Sequence, residues 1–405
     1  MKTANEDKSS LGATFNKLWS AAMFSKFADG LTGAAIPLLA ATLTRDPVLI
    51  SIQSNLMLLP WLLFAIPLGA LVDRINRRVS MLLVQLTRVL IGAAIAQLLI
   101  TGTMTLWALM LLTFIFGISE VVYDTATQSS IPSLLKGSQL ERGNSRLQIA
   151  DTVMQSFVGV PLGAILYAAF QFAPFAGISV LYLVAIFLVS SISREALQGD
   201  IDLKAKRPAL SHEIKEGLRY LWEHKVLLRL VITTGAVGFF YAMGQATLVL
   251  FVLDRLHVSE VNYGFVMLPL ALGSLAGAFA SPRMSKRMGR STALSIALPM
   301  ASVSLLVAGL AQNVYWYLLA SLVHGFFIAQ WNILLMSTYH SMIPNEIFGR
   351  IHGTRRTLVW GLMPIAGLIG GFLAKIDLAV PMIAGGIGAV VIAASQSKFI
   401  RSIRS

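Results

Sequence analysis

The sequence predicts an all-α polytopic membrane protein, with twelve transmembrane helices in two six-helix repeats around a central cavity. Of the 405 residues, 56% are hydrophobic and only 13% are charged, whereas soluble domains carry about 25% charged residues. Long apolar runs recur along the whole chain, and basic residues concentrate in every second loop between them. This composition excludes an ordinary soluble enzyme, a disordered chain and a coiled coil.

The apolar runs are long enough to cross a bilayer, whose core of about 30 Å needs roughly 20 apolar residues per helix. The predicted spans cover residues 16–44, 48–72, 79–101, 104–132, 145–169, 173–193, 227–254, 261–284, 291–311, 314–341, 351–374 and 379–397. No soluble domain is left between them. The polar N-terminal segment lacks a signal-peptide cleavage site, so the first run is expected to remain as a span.

The distribution of basic residues predicts the topology, because cytoplasmic loops are enriched in Lys and Arg. The loops after spans 2, 4, 8 and 10 contain Arg74, Arg77, Arg78, Lys136, Arg142, Arg146, Arg283, Lys286, Arg287, Arg290, Arg350, Arg355 and Arg356. The opposite loops contain only Arg45, Arg255 and Lys375. Both termini are therefore expected in the cytoplasm. The net charge of +13 reflects topology, and no nucleic-acid partner is expected.

One long polar stretch divides the chain into an N-terminal six-helix bundle, a cytoplasmic linker and a C-terminal six-helix bundle: residues 1–193, 194–226 and 227–405. Within the linker, Ile214, Leu218 and Leu221 recur at helical spacing. This pattern predicts an amphipathic helix on the inner membrane surface. It serves either as a plain linker or as a regulatory element.

The two halves resemble each other in sequence. Ile131-Pro132 ends span 4, and Ile343-Pro344 ends span 10 at an offset of 212 residues. Basic loops follow both span 2 and span 8 in the same way. Parallel repeats of six helices are a recurring plan of secondary transporters.

The loop after span 2 resembles a known signature. The segment Gly69-Ala70-Leu71-Val72-Asp73-Arg74-Ile75-Asn76-Arg77-Arg78 is similar to the loop 2–3 motif of the major facilitator superfamily. Asn76 stands where the motif has its second glycine. Asn tolerates positive φ better than most residues, so the turn is expected to be kept.

The resemblance covers essentially the whole chain. It is strongest to the drug-exporter-like branch, which includes macrolide, tetracycline and siderophore exporters. The segments that carry it are residues 126–148, 217–231 and 343–374.

The resemblance implies a secondary active transporter that exports lipophilic or amphipathic small molecules by alternating access, in exchange for protons. The alternatives are a dedicated exporter of a siderophore or lipid, an importer of the same fold, and a non-transporting membrane receptor or assembly factor. It also implies a monomer in the bacterial inner membrane, without cofactor or metal. The sequence has no phosphate-binding G-x-x-x-x-G-K-[ST] motif and no metalloprotease or nucleophile-elbow motif, which argues against an enzyme.

A cytoplasmic gate is the first site that the resemblance implies. Its residues are Gly69, Asp73, Arg74, Arg77 and Arg78. Asp73 would face the N-terminus of span 11 near Gly353 and Thr354, where a helix dipole favours a carboxylate. The alternative is that the arginines are only topology signals.

Exporters of this superfamily often carry a glycine–proline motif in span 5. Here Gly159-Val160-Pro161-Leu162-Gly163 has the right residue types, but the proline is shifted by one. Span 11 has a comparable set in Pro364, Gly367, Gly370 and Gly371. Both sets indicate either the exporter motif or ordinary close packing of helices.

Ionisable residues within the spans are expensive and point to function. The acids are Asp29, Glu120, Asp124 and Asp151, and the bases are Lys26 and Arg88. All six lie in the first half of the chain. They are the candidates for proton coupling.

Spacing predicts how these charges pair. Lys26 and Asp29 are three residues apart on one helix face. Glu120 and Asp124 are four apart, and two neighbouring carboxylates disfavour double ionisation, so one is expected to hold a proton. Arg88 is the expected counter-charge of one of these two carboxylates.

At the repeat offset of 212 residues, Glu120 corresponds to Asn332 in span 10. Because the corresponding position is also polar, Glu120 ranks first among the candidates for proton coupling, followed by Asp29, Asp124 and Asp151. The alternative is a structural ion pair of Arg88 with Asp124 or Asp151.

The second half offers uncharged cavity candidates: Tyr241, Gln245, His324, Gln330 and Asn332. His324 would titrate near neutral pH, or it is simply a hydrogen-bonding core residue. Many proton-coupled exporters carry an arginine within span 4, and this chain has none there. Either Arg88 substitutes from span 3, or coupling works differently.

Overall fold

The computed structural model describes residues 11–72, 75–198, 210–344, 347, 351, 354–355 and 358–403. These residues form helices and turns, without a strand in the described ranges. The chain divides into two compact units: Met1–Ala40 with Leu59–Arg207, and Ala41–Leu58 with Pro208–Ser405. Residues 41–58 thus group with the second half of the chain. The division at residues 193 and 227 stays a prediction.

The first unit is built from helices that cover the predicted spans 1 to 6. They are α1 (Ala13–Leu43), α3 (Leu59–Val72), α4 (Arg77–Ile100), α5 (Leu106–Leu134), α6 (Ser138–Ala150), the π-helix π1 (Asp151–Gly159), α7 (Val160–Ala169), α8 (Ala173–Ser190) and α9 (Arg194–Gln198). α6, π1 and α7 follow one another without a gap, so the fifth span is one continuous helical segment. Its middle part has π-helical hydrogen bonds, and its two ends are α-helical.

The second unit holds one short helix from the first half and all helices after the linker. They are α2 (Pro47–Leu56), α10 (Leu210–Glu223), α11 (Lys225–Gln245), α12 (Leu248–Leu250), the π-helix π2 (Phe251–Arg255), α13 (Glu260–Val266), α14 (Leu268–Met288), α15 (Arg290–Gly309), α16 (Val314–Met342), α17 (Met363–Leu373) and α18 (Val380–Ser402).

Nine helical stretches among the described residues are long and apolar enough to cross a membrane, and Leu358–Leu373 is a shorter apolar helix. The predicted all-α, multi-pass architecture is confirmed. The count of twelve spans stays a prediction.

The second predicted span is interrupted, because α2 ends at Leu56 and α3 begins at Leu59. Pro60 is the second residue of α3, and it has no N–H to donate to an upstream carbonyl. A helix therefore breaks readily just before it. The two pieces belong to different compact units.

The N-terminus of α2 is capped by Asp46, whose Oδ1 accepts hydrogen bonds from the backbone N–H groups of Val48 (2.7 Å) and Leu49 (3.4 Å). These bonds, with a contribution from the nearby ammonium of Lys375, hold the pKa of Asp46 below its usual range. Pro47 occupies the first helical position, where its missing N–H costs nothing.

Replacing Asp46 with alanine is expected to lower the free energy of unfolding by about 1 kcal/mol at neutral pH, since the cap is lost. Because the pKa is lowered on folding, this stabilisation is complete above the unfolded pKa of about 4 and is lost as pH falls through the folded value. Denaturant unfolding of the purified protein at several pH values measures both effects. Asp46→Asn, which caps but does not titrate, is the control. Equal stability of wild type and Asp46→Ala at pH 7 would contradict the assignment.

The turn before α4 does not need a glycine. Asn76 has φ −61° and ψ 122°, and its side chain accepts a hydrogen bond from the backbone N–H of Arg78 (3.1 Å). Asn76 therefore does not use the tolerance of positive φ on which the expectation for this turn relied. Its side chain serves as a helix cap, a role that glycine cannot fill.

Close backbone contact joins α14 and α16 in the second unit. A Cβ added to Gly273 would overlap with the carbonyl oxygen of Leu322, and one added to Gly277 would overlap with that of Phe326. Gly325 meets the carbonyl of Leu270 in the same way. Small residues at this spacing let two helices approach more closely than side chains would allow.

The glycines of the predicted span 5 motif also mediate close packing, here against α1. A Cβ on Gly159 would lie 2.7 Å from the Cα of Gly30, and one on Gly163 would lie 2.6 Å from the carbonyl oxygen of Leu31. The span 11 set behaves alike, because Gly367 and Gly371 leave room for Asn55 and Ser51 of α2. The close-packing interpretation therefore holds at both places.

The linker contains the helix that its sequence predicts, α10. Leu221 is buried, whereas Leu218 and Trp222 are exposed. The side chain of Ile214 lies outside the described residues. The position of this helix on the membrane surface stays a prediction.

Candidate functional site: a buried charge cluster

Lys26 on α1 is the centre of a cluster of carboxylates in the first unit. Its Nζ lies 3.3 Å from Asp29 Oδ2, 3.2 Å from Glu120 Oε1 and 3.5 Å from Asp151 Oδ1. Helical spacing explains the first contact, since the two residues are three apart. The other two carboxylates come from α5 and π1.

Arg88 on α4 is the second cation of the cluster, and its side chain is fully buried. Its Nη2 donates to Glu120 Oε2 (2.5 Å), and its Nη1 lies 3.6 Å from Asp29 Oδ1. Nε donates to Ser119 Oγ at 3.0 Å. A buried guanidinium requires such partners, because transfer of an unpaired charge out of water is very costly.

Three aromatic rings surround this guanidinium. Its Cζ lies 5.1 Å from the ring centroid of Phe116, 5.0 Å from that of Tyr123 and 5.3 Å from that of Tyr182. These distances are within the range of cation–π attraction. The cluster is therefore shielded by ring faces on the α5 and α8 sides.

The two central carboxylates are held differently. Glu120 accepts hydrogen bonds from both cations, Lys26 and Arg88. Asp29 accepts one hydrogen bond, from the Tyr182 hydroxyl to Oδ1 (2.6 Å), and its Oδ2 is buried without a hydrogen bond to any described residue. Glu120 is thus the better-satisfied anion.

Asp151 reaches the cluster from the first turn of π1. At the end of π1, the backbone N–H of Val160 donates to the carbonyl of Gln155, five residues back, as in a π-helix. The next residue, Pro161, has no N–H to donate. Wide turns of this kind are frequent at functional sites. Asp151 is the most accessible of the three carboxylates, at 39% exposure.

The cluster contains at least one carboxylate more than it contains cations. Lys26 and Arg88 carry two positive charges, while Asp29, Glu120 and Asp151 carry three negative charges when ionised. In a low-dielectric site such a surplus charge favours uptake of one proton.

The structure brings together five of the six predicted charges, although not all in the predicted pairs. Lys26 pairs with Asp29 as expected. Arg88 contacts Glu120 and Asp29, so the alternative of a pair with Asp151 is wrong; that carboxylate binds Lys26. Asp124, one turn after Glu120, accepts a hydrogen bond from Gln128 at 2.9 Å, and its charge also acts on Lys26.

Four uncharged residues around the cluster gave no charge signal in the sequence: Ser25, Gln85, Tyr123 and Tyr182. Tyr182 is the only tyrosine whose hydroxyl donates to Asp29 among the described residues. Gln85 donates to Ser25 Oγ, which donates to Tyr123 Oη at 3.1 Å. Their polar groups within apolar helices were the available signal.

The predicted gate residues are only partly described. Asp73, Arg74 and Gly353 lie outside the described residues. Arg77 is buried and donates to Ser133 Oγ (3.0 Å) and to the carbonyl of Leu197 (3.2 Å).

The guanidinium of Arg78 donates to the carbonyls of Val189 (3.4 Å) and Ser190. A Cβ added to Gly69 would meet no described atom within 4 Å. Arg77 and Arg78 thus fix the start of α4 to α5, α8 and α9, a role beyond that of topology signals. The gate itself stays a prediction.

The uncharged candidates of the second unit form a separate arrangement. The rings of Tyr241 and His324 are stacked, with centroids 5.2 Å apart and planes within 1°. Gln245 Nε2 donates to the Tyr241 hydroxyl (2.9 Å), and His324 Nδ1 donates to the carbonyl of Ala301 (2.8 Å). His324 thus makes a hydrogen bond to the backbone, and its role in the site stays a prediction.

Tyr241, His324 and Asn332 line a cavity of about 270 Å³ within the second unit. Gln245 lines a smaller neighbouring cavity of about 30 Å³. Gln330 lines neither; it is fully buried, and its amide makes no hydrogen bond to the described residues. The sequence missed Trp331, which faces the larger cavity.

The long apolar helices define a multi-pass membrane protein. The sequence profile of the Major Facilitator Superfamily matches residues 18–368. The chain belongs to this superfamily, as the loop motif indicated. Members of the family bind small-molecule substrates.

Characterised relatives with efflux names match most of the chain. Macrolide efflux protein A of Streptococcus pyogenes is 22% identical over 363 residues, which cover 89% of each chain. The multidrug efflux pump Tap of Mycolicibacterium fortuitum is 24% identical over 389 residues, covering 91% of this chain and 93% of its own. The resemblance to the drug-exporter-like branch is confirmed.

Solved structures share the fold. The nucleoside transporter NupG superposes with a TM-score of 0.72 at 12% identity, over 97% of this chain and all of its own. A bacterial homologue of the iron transporter ferroportin, in an inward-facing state, gives a TM-score of 0.75 at 16% identity, over 96% of this chain and all of its own.

Proposed function

We propose that this protein exports lipophilic or amphipathic small molecules across the bacterial inner membrane by alternating access, in exchange for protons. The single observation that carries the proposal is the buried cluster with at least one surplus carboxylate. The efflux names of its relatives support the direction of transport. We propose a monomer, because one chain supplies both of the predicted six-helix repeats.

The proposed topology has both termini in the cytoplasm. Its outward loops contain Arg45, Arg255 and Lys375. Each of these cations pairs with a carboxylate: Arg45 with Asp254 (2.8 Å), Arg255 with Asp377 (2.7 Å), and Lys375 with Asp46 (3.5 Å). The small number of Lys and Arg residues in these loops, compared with the opposite loops, supports this orientation.

Within the cluster, we place the exchanged proton on Asp29 rather than on Glu120. Protonating Glu120 would break two charge-assisted hydrogen bonds and leave Lys26 and Arg88 short of an anion. Protonating Asp29 leaves both of those bonds intact. Its ion contacts are longer, at 3.3 and 3.6 Å, and its Oδ2 has no hydrogen bond to lose.

Asp29→Asn is expected to abolish the acceleration of transport by a pH gradient while leaving downhill substrate movement in place. The amide mimics the protonated acid permanently, so the variant cannot exchange a proton. The measurement uses purified protein in liposomes with an imposed pH gradient and a panel of dyes and antibiotics. At least a tenfold loss of the gradient effect is expected, since one ionisable site carries it.

Two comparisons make this test specific. Asp254→Asn, an equivalent change in an exposed ion pair, should transport as wild type does. Glu120→Gln should lose folded protein as well as coupling, because both cations lose a partner. A pH-gradient response of Asp29→Asn equal to wild type would remove Asp29 from the mechanism, and a wild type indifferent to the gradient would remove proton antiport.

A further inference from the structure

A groove runs between α11 and α18 on the surface of the second unit. Its lining includes Lys225, Arg229, Ile232 and Ala236 of α11, and Ile392 and Gln396 of α18. The volume is about 230 Å³, below the ~300–1,000 Å³ of pockets that enclose a drug-sized molecule. Ile232 is 60% exposed, so the groove is open along one side. It therefore holds only part of a larger ligand.

The groove is separate from the larger cavity of the second unit. Thr234 and Tyr241 of the same helix line that cavity. At 3.6 residues per turn, these two positions lie on the opposite side of α11 from Lys225, Arg229 and Ile232. The groove thus faces away from the cavity and calls for a different ligand.

Two cations without a carboxylate partner lie at one end of the groove. Lys225 and Arg229 are four residues apart, so they are neighbours on one helix face. Neither makes an ion pair with a described residue, and no described carboxylate lines the groove. Glu223, the acid nearest in sequence, pairs with Arg219 at 2.8 Å. This end of the groove therefore favours an anion.

The guanidinium of Arg229 is held in position by α18. Its Nε donates to Gln396 Oε1 (2.7 Å), and its Cζ lies 4.1 Å from the ring centroid of Phe399. The two terminal nitrogens make no hydrogen bond within the described part of the chain. A guanidinium with free terminal N–H groups matches the paired oxygens of a phosphate.

The rest of the groove is apolar. Ile232, Ala236 and Ile392 line it, and the hydroxyl of Thr233 is taken by the carbonyl of Arg229 (2.7 Å). From Arg229 to Ala236 the helix rises about 10 Å. The groove thus suits a ligand with an anionic group at one end and a hydrocarbon chain at the other.

The position of α11 in the membrane places these two parts at matching depths. Trp222 is 73% exposed and lies three residues before Lys225. Exposed tryptophans concentrate at the membrane–water interface, and α11 itself is long and apolar enough to cross the membrane. Lys225 and Arg229 are therefore expected among the lipid headgroups, with Ile232 and Ala236 in the hydrocarbon.

We propose that this groove binds one anionic phospholipid, with its phosphate between Lys225 and Arg229 and the first part of an acyl chain along Ile232 and Ile392. Basic pockets between transmembrane helices are suited to such headgroups. The site requires only that the chain spans a membrane. It depends neither on the direction of transport nor on proton coupling.

Photolabelling of the full-length protein in neutral detergent, without any gradient, tests the site. The probe is phosphatidylglycerol with a diazirine in one acyl chain, and saturable labelling of peptides from α11 and α18 is expected. Unlabelled phosphatidylglycerol should compete at least about tenfold better than phosphatidylcholine with the same chains, because two cations contact the phosphate of a lipid with net negative charge. Non-saturable labelling, or equal competition by the two lipids, would overturn the proposal.

A matched pair of double variants separates the groove from general surface charge. Lys225→Gln with Arg229→Gln should weaken competition by phosphatidylglycerol about tenfold and leave that by phosphatidylcholine unchanged. Lys398→Gln with Arg401→Gln removes two exposed cations of α18 and should behave as wild type does. Equal losses in the two double variants, or no loss in the first, would contradict the site.

Lys225→Gln alone provides a test that does not endanger folding. The Lys225 side chain is exposed and makes no hydrogen bond to the described residues, so the variant loses no internal contact. Competition by phosphatidylglycerol should weaken about fivefold, the effect of one cation near the membrane surface. An unchanged competition curve would remove Lys225 from the site.

Glycerol phosphate distinguishes a lipid from a soluble phosphate. It carries the anionic group without the acyl chains, so it should compete at least about tenfold less well than phosphatidylglycerol. Equal competition would reject the lipid as occupant. Loss of the labelling result with an intact pH-gradient response would reject the lipid site and leave the proposed export function in place.

Discussion

Arg88→Gln is expected to lower the free energy of unfolding by about 3–5 kcal/mol, the range for removing one partner of a buried ion pair. The guanidinium is fully buried, and it neutralises Glu120 and Asp29 together. Without it, Lys26 alone faces three carboxylates. Denaturant unfolding of detergent-purified protein, followed by circular dichroism, gives the difference directly.

The double variant Arg88→Gln with Glu120→Gln separates ion pairing from side-chain volume. Removing both charges should restore much of the loss, because the uncompensated carboxylate disappears. Arg45→Gln is the matched control: its partner Asp254 is 40% exposed, and surface pairs contribute about 0–1 kcal/mol. Additive losses in the double variant would show that the two residues do not act as a pair.

Gly277→Leu is expected to cost about 3 kcal/mol or more, and to prevent α14 from packing on α16. An added Cβ at this position would overlap with the carbonyl oxygen of Phe326. Backbone cannot yield as a flexible side chain can, so the helices must separate along their whole contact. The yield of monodisperse protein in size-exclusion chromatography and its unfolding midpoint measure the effect.

Ala276→Leu adds the same side chain one residue earlier, on an exposed face of α14. It should behave as wild type does. Gly277→Ala should fall between the two, since it brings in the overlapping Cβ and nothing more. A Gly277→Leu protein as stable as Ala276→Leu would show that the approach of α14 to α16 is not needed for folding.

The sequence contained enough to predict most helices and the residue types of the charge cluster. Pairing was predictable where it depends on local spacing, as for Lys26 and Asp29. The bonds of Glu120 to Lys26 and Arg88 join three helices, and no helical periodicity specifies which helices are neighbours. Spacing therefore paired Glu120 with Asp124 and offered Arg88 as a counter-charge for one of them, without specifying which.

Backbone irregularities were the other obstacle. The position of Asp151 depends on π1, and the widening of a helix leaves no mark in apolar periodicity. The break before α3 was readable from Pro60, but not the grouping of residues 41–58 with the second half. That grouping depends on contacts such as Asn55 Nδ2 to the Pro364 carbonyl (3.1 Å), 309 residues apart.

The spacing G-x-x-x-G-x-x-x-S from Gly273 to Ser281 was a readable signal for the α14–α16 approach. It follows the small-residue pattern of close helix pairs in membranes. Composition within a span thus predicts which face packs, while the identity of the partner helix comes only from the structure.

The winding of π1 makes the two ends of the fifth span interdependent. Gly163 packs against the backbone of Leu31, and the carboxylate of Asp151 contacts the ammonium of Lys26. The wide turns between Asp151 and Gly163 set the angle between these two residues around the helix axis. Rewinding this segment with α-helical hydrogen bonds would turn Asp151 around the helix axis relative to Gly163 by a substantial part of a turn. The distance from the Asp151 carboxylate to Lys26 therefore depends on the backbone hydrogen-bond pattern of residues 151–159. A single-residue insertion or deletion in this segment would change the charge cluster without replacing any of its side chains.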